Sequence, residues 1–171
     1  MNKTLIWSGV ALIGILVFTI AYITKQTDIF QQSSQTSQQT PQEKQQEIAE
    51  QTANIGGIAD YDLEIDATTS EETIIHTMHL MTHQKVKAKE KWGAIPMTEE
   101  TINQVYEVVS NSNFPNKKEL LKIVEKWKNG DFSQIDNDHN FFWNLQDGNI
   151  GKAYGILSPE EEATFIKNNF E

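Results

Sequence analysis

Residues 70–93 read SEETIIHTMHLMTHQKVKAKEKWG, and the assignment of this stretch decides the fold. Ser70 is an N-cap residue type followed by Glu71 and Glu72, and Thr69 with Glu72 three residues on offers a capping-box alternative. Ile74, Met78, Met81, Ala88 and Trp92 recur at helical spacing, with Ile75 and Val86 at the edge of the stripe. Lys85, Lys87, Lys89 and Lys91 crowd the far end, where cations suit the helix dipole, and Gly93 supplies a stop. The stretch is therefore expected to be one long helix. Its lysines are expected to be solvated surface, with anionic wall polymer or lipid headgroups as the functional alternative.

Downstream, Thr98 caps a second helix with Met97 and Ile102 as a hydrophobic staple, and Val105, Tyr106 and Val109 continue its stripe. A third begins near Pro115, turns Leu120, Leu121, Val124 and Trp127 inward and stops at Asn129-Gly130. Ser133 is expected to cap a fourth, holding Phe141, Phe142, Trp143 and Leu145. Asp147-Gly148 reads as a turn, and Gly148, Gly151 and Gly155 make the next segment a loop. Ser158-Pro159-Glu160-Glu161 opens a final helix with Ala163, Phe165, Ile166 and Phe170. Upstream, Tyr61, Leu63 and Ile65 alternate with Asp60, Asp62, Glu64 and Asp66, the period of a short extended arm. The expected fold class is all-α: a small bundle of about five helices with one extended arm.

That domain, residues 55–171, is the third of three segments. Leu5 to Ile23 is 19 residues without a charge. As a helix it spans roughly 28 Å, close to the bilayer core. It exceeds a signal-peptide core, and Ala21-Tyr22-Ile23-Thr24-Lys25 lacks a small-x-small cleavage pattern, so residues 1–24 read as an uncleaved transmembrane signal anchor. Lys3 ahead of a short N-terminal tail favours an inside N-terminus, which places the domain outside the cell membrane. Residues 25–54 hold ten glutamines between Gln26 and Gln51, mixed with Ser and Thr. Such a stretch buries too little apolar surface to offset chain entropy and is expected to be a disordered tether, in which Gln45–Gln51 is helical only transiently.

The whole chain has 171 residues and a net charge of −10, its 14 cations all lysine, with no cysteine. Disulfides, thiolate nucleophiles and Cys-ligated metals are excluded. So is a nucleic-acid partner, which needs a basic footprint.

Four histidines carry the remaining chemistry. His76, His79 and His83 stand at i, i+3 and i+7 and fall within about 60° of arc on one helix face. His79 and His83 have the i, i+4 spacing that lets two imidazoles share a metal, but Leu80 stands where a zincin needs glutamate. If the fourth helix packs on the first, His139 joins them, with Asp138 as its natural second partner. The candidate metal ligands are thus His76, His79, His83 and His139. The plainer reading is that they border the apolar stripe and hydrogen-bond to neighbours. No cofactor is fixed by the sequence; a transition metal is the class these residues suit. EF-hand matches at Asp60-Asp62-Glu64-Glu71 and at Asp136-Asp138-Asn140-Asp147 fail at the glycine position, which holds Ile65 or Phe141. Gly148-Asn149-Ile150-Gly151-Lys152 fails as a phosphate loop, since Gln146 and Ala153 occupy required positions.

Several strings carry a family likeness: Met81-Thr82-His83-Gln84-Lys85-Val86, Lys91-Trp92-Gly93 and Trp127–Phe132 (WKNGDF). Asp138-His139-Asn140 with Trp143, Gly151-Lys152-Ala153 with Gly155, and Ser158 with Glu160-Glu161 complete the series. In this order, over about residues 72–170, they resemble a family of unknown function from Gram-positive, Bacillus-type bacteria. Gly148-Asn149-Ile150 departs from a Gly-Thr-leaning turn. The resemblance implies one N-terminal span, a polar linker and this domain, with His83, Asp138, His139 and Trp143 on one surface. It implies no activity.

The functional expectation is a membrane-tethered module at the cell envelope. It would bind a protein or wall ligand through His83, Asp138, His139, Trp143, Gly151 and Lys152. A metal-dependent or acid–base hydrolase using His79, His83, Asp138 and His139 is the second reading, and a structural subunit of a membrane complex is the third.

Overall fold

The computed structural model describes residues 40–57 and 63–171. The expected span, the first part of the expected tether, and Asp60, Tyr61 and Asp62 of the expected arm lie outside the described residues. Among the described residues no helix is long and apolar enough to cross a membrane. The chain divides at Lys44/Gln45, and the fold belongs to residues 45–171.

In chain order the elements are α1 (Pro41–Gln51), α2 (Glu71–Thr82), β1 (Val86–Ala88), α3 (Glu99–Asn111), α4 (Lys117–Lys128), α5 (Ile135–Leu145), β2 (Ala153–Ile156) and α6 (Pro159–Phe170). Among the described residues, six helices and a two-stranded sheet therefore stand in place of the expected all-α bundle of about five helices.

The stretch that decides the fold is two elements. Ser70 caps α2, its hydroxyl accepting from the Thr73 N–H at 3.1 Å. The helix then ends at Thr82, eleven residues before Gly93. The reason lies in the lysines. Lys85, Lys87 and Lys89 alternate with Val86 and Ala88, a period of two. On a helix Val86 and Ala88 would point about 200° apart. On a strand they share a face, and both are buried. β1 pairs antiparallel with β2, with Val86 opposite Ile156 and Lys87 opposite Gly155. The register slips before Ala88 meets Ala153, leaving Tyr154 as the extra residue of a bulge. Part of the segment expected to be a glycine loop is thus a strand.

The lysines are not uniformly solvated either. Lys85 pairs with Glu162 and Lys87 with Glu161, both acids in the first turn of α6. Lys91 is only 8% exposed. Its ammonium donates to the carbonyls of Gln51 (3.0 Å), His83 (3.2 Å) and Val86 (3.0 Å). Burial pushes its pKa down to about 8, against the pull of Glu161. Gln51, within the stretch expected to be disordered, is the buried end of α1. Its amide exchanges two hydrogen bonds with the backbone of Ala88, at 2.9 and 3.0 Å, and so serves as a strand partner for the edge of β1.

α3 begins at Thr98 with a capping box closed by Thr101, and α6 at Ser158 with one closed by Glu161. α4 stops at Asn129 and Gly130, the glycine at φ +71°. α5 starts at Ile135, after Gln134 and not from a Ser133 cap, because the Ser133 hydroxyl donates to Asp131 at 2.7 Å. α3 packs on α4, and α2 packs on α5, which also covers β2. Ile74, Met78, Met81, Val105, Leu120, Trp127 and Phe142 fill the main core. Ala94, Leu157 and Phe165 form a smaller one under α6.

Candidate functional site

The contact between α2 and α5 brings two matching stripes face to face. α2 and its C-cap offer His76, His79 and His83 at i, i+3 and i+7; α5 and its C-cap offer His139, Trp143 and Gln146 at i, i+4 and i+7. His79 and His139 have ring centroids 4.4 Å apart, His79 and His83 5.0 Å, and His83 and His139 5.5 Å. One ring nitrogen from each of the three lies within 4.8 Å of the others.

Each ring is held by a different part of the fold. His83 Nδ1–H donates to the Gly93 carbonyl at 2.7 Å, which leaves Nε2 with a lone pair. Gly93 can present that carbonyl because it adopts φ +70°. His139 Nδ1–H donates to Asn140 Oδ1 at 3.1 Å. The Asn140 amide is itself fixed by Ala153 of β2, accepting from its N–H at 2.8 Å and donating to its carbonyl at 2.9 Å. His139 Nε2 is therefore also a lone pair. The Gln146 amide donates from Nε2 to the Phe142 carbonyl (3.1 Å) and to His79 Nδ1 (2.9 Å). His79 must then carry its proton on Nε2, and it donates that proton to His139 Nε2 at 3.0 Å. His76, on the exposed side of α2, donates from Nδ1 to Gln146 Oε1 at 3.1 Å and stays outside the triad.

Burial pushes His79 and His83 down to about 3, and the neighbouring imidazoles add to the shift. Burial lowers His139 as well. The three rings are thus neutral at pH 7, the form that ligates a metal or accepts a proton.

The triad floors a cavity of about 310 Å³. Its walls include Trp143, Glu90, Trp92 and the turn Asp147–Gly151. Trp143 is locked by its indole N–H, which donates to the Ile150 carbonyl at 2.7 Å. Two glycines let this turn close on the wall. A Cβ on Gly148 would sit 2.4 Å from the Trp143 ring, and one on Gly151, at φ +84°, 2.4 Å from the Glu90 carbonyl.

The expected site residues separate accordingly. His79, His83, His139, Trp143 and Gly151 line one cavity, and His76 touches its edge. Lys152 is exposed beside it, its ammonium 5.9 Å from the centre of the Trp143 ring. Asp138 is elsewhere. Its carboxylate takes the Lys126 ammonium at 2.6 Å and the Trp127 indole N–H at 3.0 Å, on the face of α5 turned to α4. It partners no histidine, and Asn140 fills that role. Asp136, Asp138 and Asn140 lie on a helix, which ends the calcium-loop match.

Three contributors were not singled out from sequence. Gln146 lies seven residues after His139, two turns along the same face, a signal the helical period could have supplied. Asn140 was legible only as part of a string. Trp92, expected inside a helix stripe, is 69% exposed at the cavity rim.

Fold and site together define a small helical domain with a three-histidine cavity between two helices. The chain belongs to the DUF6241 family, a family of unknown function whose model matches residues 78–167. The match begins inside α2 and ends inside α6, so it spans the three histidines of the triad and both tryptophans of the cavity wall. No curated protein and no solved structure matches the chain.

Proposed function

We propose that this protein is a membrane-tethered, extracytoplasmic binding module that holds a protein or cell-wall ligand in the histidine-floored cavity. The observation that carries the reading is the cavity itself: two tryptophans, Trp92 and Trp143, over three neutral imidazoles, those of His83 and His139 buried and that of His79 half-buried. Ligand sites combine large aromatic contact area with a few fixed polar groups that set orientation, and this arrangement supplies both. The uncharged stretch Leu5–Ile23 supports the membrane anchor, and Lys3 supports the outward placement of the domain. Hydrolysis by a His/Asp pair is the weaker reading, because the Asp138 carboxylate is held by Lys126 and Trp127.

Two measurements test the proposal. The first uses tryptophan fluorescence of the detergent-solubilised full chain, titrated with purified wall fragments. A saturable change that disappears in Trp143→Ala is expected; the same response in both proteins, or none in either, contradicts the assignment of the cavity. The second uses the cysteine-free sequence. Glu171→Cys in intact cells is expected to react with a membrane-impermeant maleimide, and labelling only after lysis would refute the outward topology.

A further inference from the structure

We propose that His79, His83 and His139 form a three-histidine site for a zinc-class transition metal, with its fourth coordination position open to the tryptophan-walled cavity. The inference deepens the binding reading, since it concerns the floor of the same cavity.

The geometry argues for it. Nitrogens bound to zinc at 2.0–2.1 Å in a tetrahedron stand roughly 3.3 Å apart. Two of the candidate donors, the Nε2 atoms of His79 and His139, are 3.0 Å apart, and one ring nitrogen from each of the three histidines lies within 4.8 Å of the others. Two rings already meet the requirements of a ligand. His83 and His139 each give Nδ1–H to an oxygen acceptor, Gly93 O and Asn140 Oδ1, so each carries its lone pair on Nε2; that of His139 accepts from His79 until His79 changes tautomer. This is the outer hydrogen bond that fixes tautomer and ring orientation in metal-bound histidine. Three protein ligands with one open position is the pattern of a zinc site that takes an outside donor, as opposed to a closed structural site. Glu90 and Asp147 line the same cavity.

His79 is the ring that must change, and Gln146 sets how. In the metal-free network Gln146 donates to His79 Nδ1, which keeps a proton on the Nε2 that a metal needs. Rotating the Gln146 amide by half a turn exchanges its ends. Oε1 then accepts from His79 Nδ1–H, and Nε2 donates to His76 Nδ1. His79 moves its proton from Nε2 to Nδ1 and His76 moves its own from Nδ1 to Nε2, both by exchange with solvent, and neither ring gains or loses a proton overall. The rotation gives up the bond from Gln146 Nε2 to the Phe142 carbonyl, but that carbonyl keeps the Gln146 backbone N–H at 3.1 Å. Gln146 is thus a positioning residue that couples the metal-competent tautomer of His79 to exposed His76.

The test is calorimetric titration of the detergent-solubilised full chain with zinc alone, after chelator treatment, with cobalt absorption as a second readout. One equivalent is expected to bind, and cobalt is expected to give the intense visible bands of a four-coordinate site. His83→Ala and His139→Ala are expected to weaken binding at least 100-fold, and His76→Ala less than about 3-fold. Since the buried variants could fail to fold, Gln146 provides the decisive pair at a half-buried position. Gln146→Glu places an acceptor against His79 Nδ1 and is expected to tighten zinc binding about 10-fold, whereas Gln146→Leu is expected to weaken it by a similar factor. A merely structural role for Gln146 would give loss in both. No stoichiometric zinc binding by the wild-type chain, or binding that both Gln146 variants leave unchanged, overturns the proposal. Either failure leaves the fluorescence titration with wall fragments as an independent measure of the cavity reading.

Discussion

Asp138 and His139 are adjacent in the chain and do opposite work. On a helix, consecutive side chains point about 100° apart, so Asp138 faces α4 while His139 faces α2. Because Asp138 is buried, its two partners depend on it: removing the carboxylate strands the Lys126 ammonium and the Trp127 indole N–H. Asp138→Ala is expected to cost about 3 kcal/mol, read by chemical denaturation, and to leave zinc affinity unchanged within about 3-fold. A large loss of zinc affinity in a folded Asp138→Ala would show that the two sides of α5 are coupled. Gly151 tests the other wall. Gly151→Ala combines a positive φ with a Cβ aimed at the Glu90 carbonyl. It is expected to cost about 2 kcal/mol and to displace the Asp147–Gly151 turn, seen as a shift in Trp143 fluorescence. At this scale the sequence was informative about which residue types matter and uninformative about direction. Asp138 and His139 could be separated only once the neighbours of α5 were known.

At the scale of elements, the signals that held were those in which side chain and backbone satisfy each other locally. Ser158-Pro159-Glu160-Glu161 and Thr98 with Met97 and Ile102 specified α6 and α3, because a capping box is closed within four residues. Ser158→Ala is accordingly expected to lower stability by about 1 kcal/mol, measured as a shift in the denaturation midpoint with an unchanged slope. β1 and β2 were hidden for the opposite reason. A three-residue strand is stabilised by its partner, and the partner of Val86–Ala88 lies about 70 residues downstream, across a bulge. The alternation of lysine with Val86 and Ala88 was present in the sequence. The helical phase set by Ile74 to Met81, which Ala88 and Trp92 continue by coincidence, masks it. The Gln51 amide bonded to Ala88 was less legible still, since glutamine in a glutamine-rich stretch carries no local sign of burial.

The whole molecule inherits a pH dependence from its buried imidazoles. His79 and His83 are held neutral in the folded protein, with pKa values of about 3, and return to the ordinary value near 6.5 on unfolding. Between these limits the unfolded chain binds more protons, so folding stability is complete above about pH 6.5 and is lost as the pH falls. At pH 5 the loss should reach roughly 2 kcal/mol for each of the two rings. Denaturation of the metal-free chain at pH 7.5 and pH 5 checks this; equal stability at both would contradict neutral, buried rings. The net charge of −10 takes on a place as well as a magnitude. Glu161 meets Lys87 of β1 and Glu162 meets Lys85 just ahead of it, while Glu90 and Asp147 line the cavity, so part of the acid excess is structural and part lies at the site.

X-ray absorption at the zinc edge of the zinc-loaded full chain shows whether the three histidines from the two helices act as one site. Three imidazole nitrogens at 2.0–2.1 Å are expected, with the multiple-scattering pattern of histidine and one further light donor. A shell of six oxygens without imidazole scattering would contradict it.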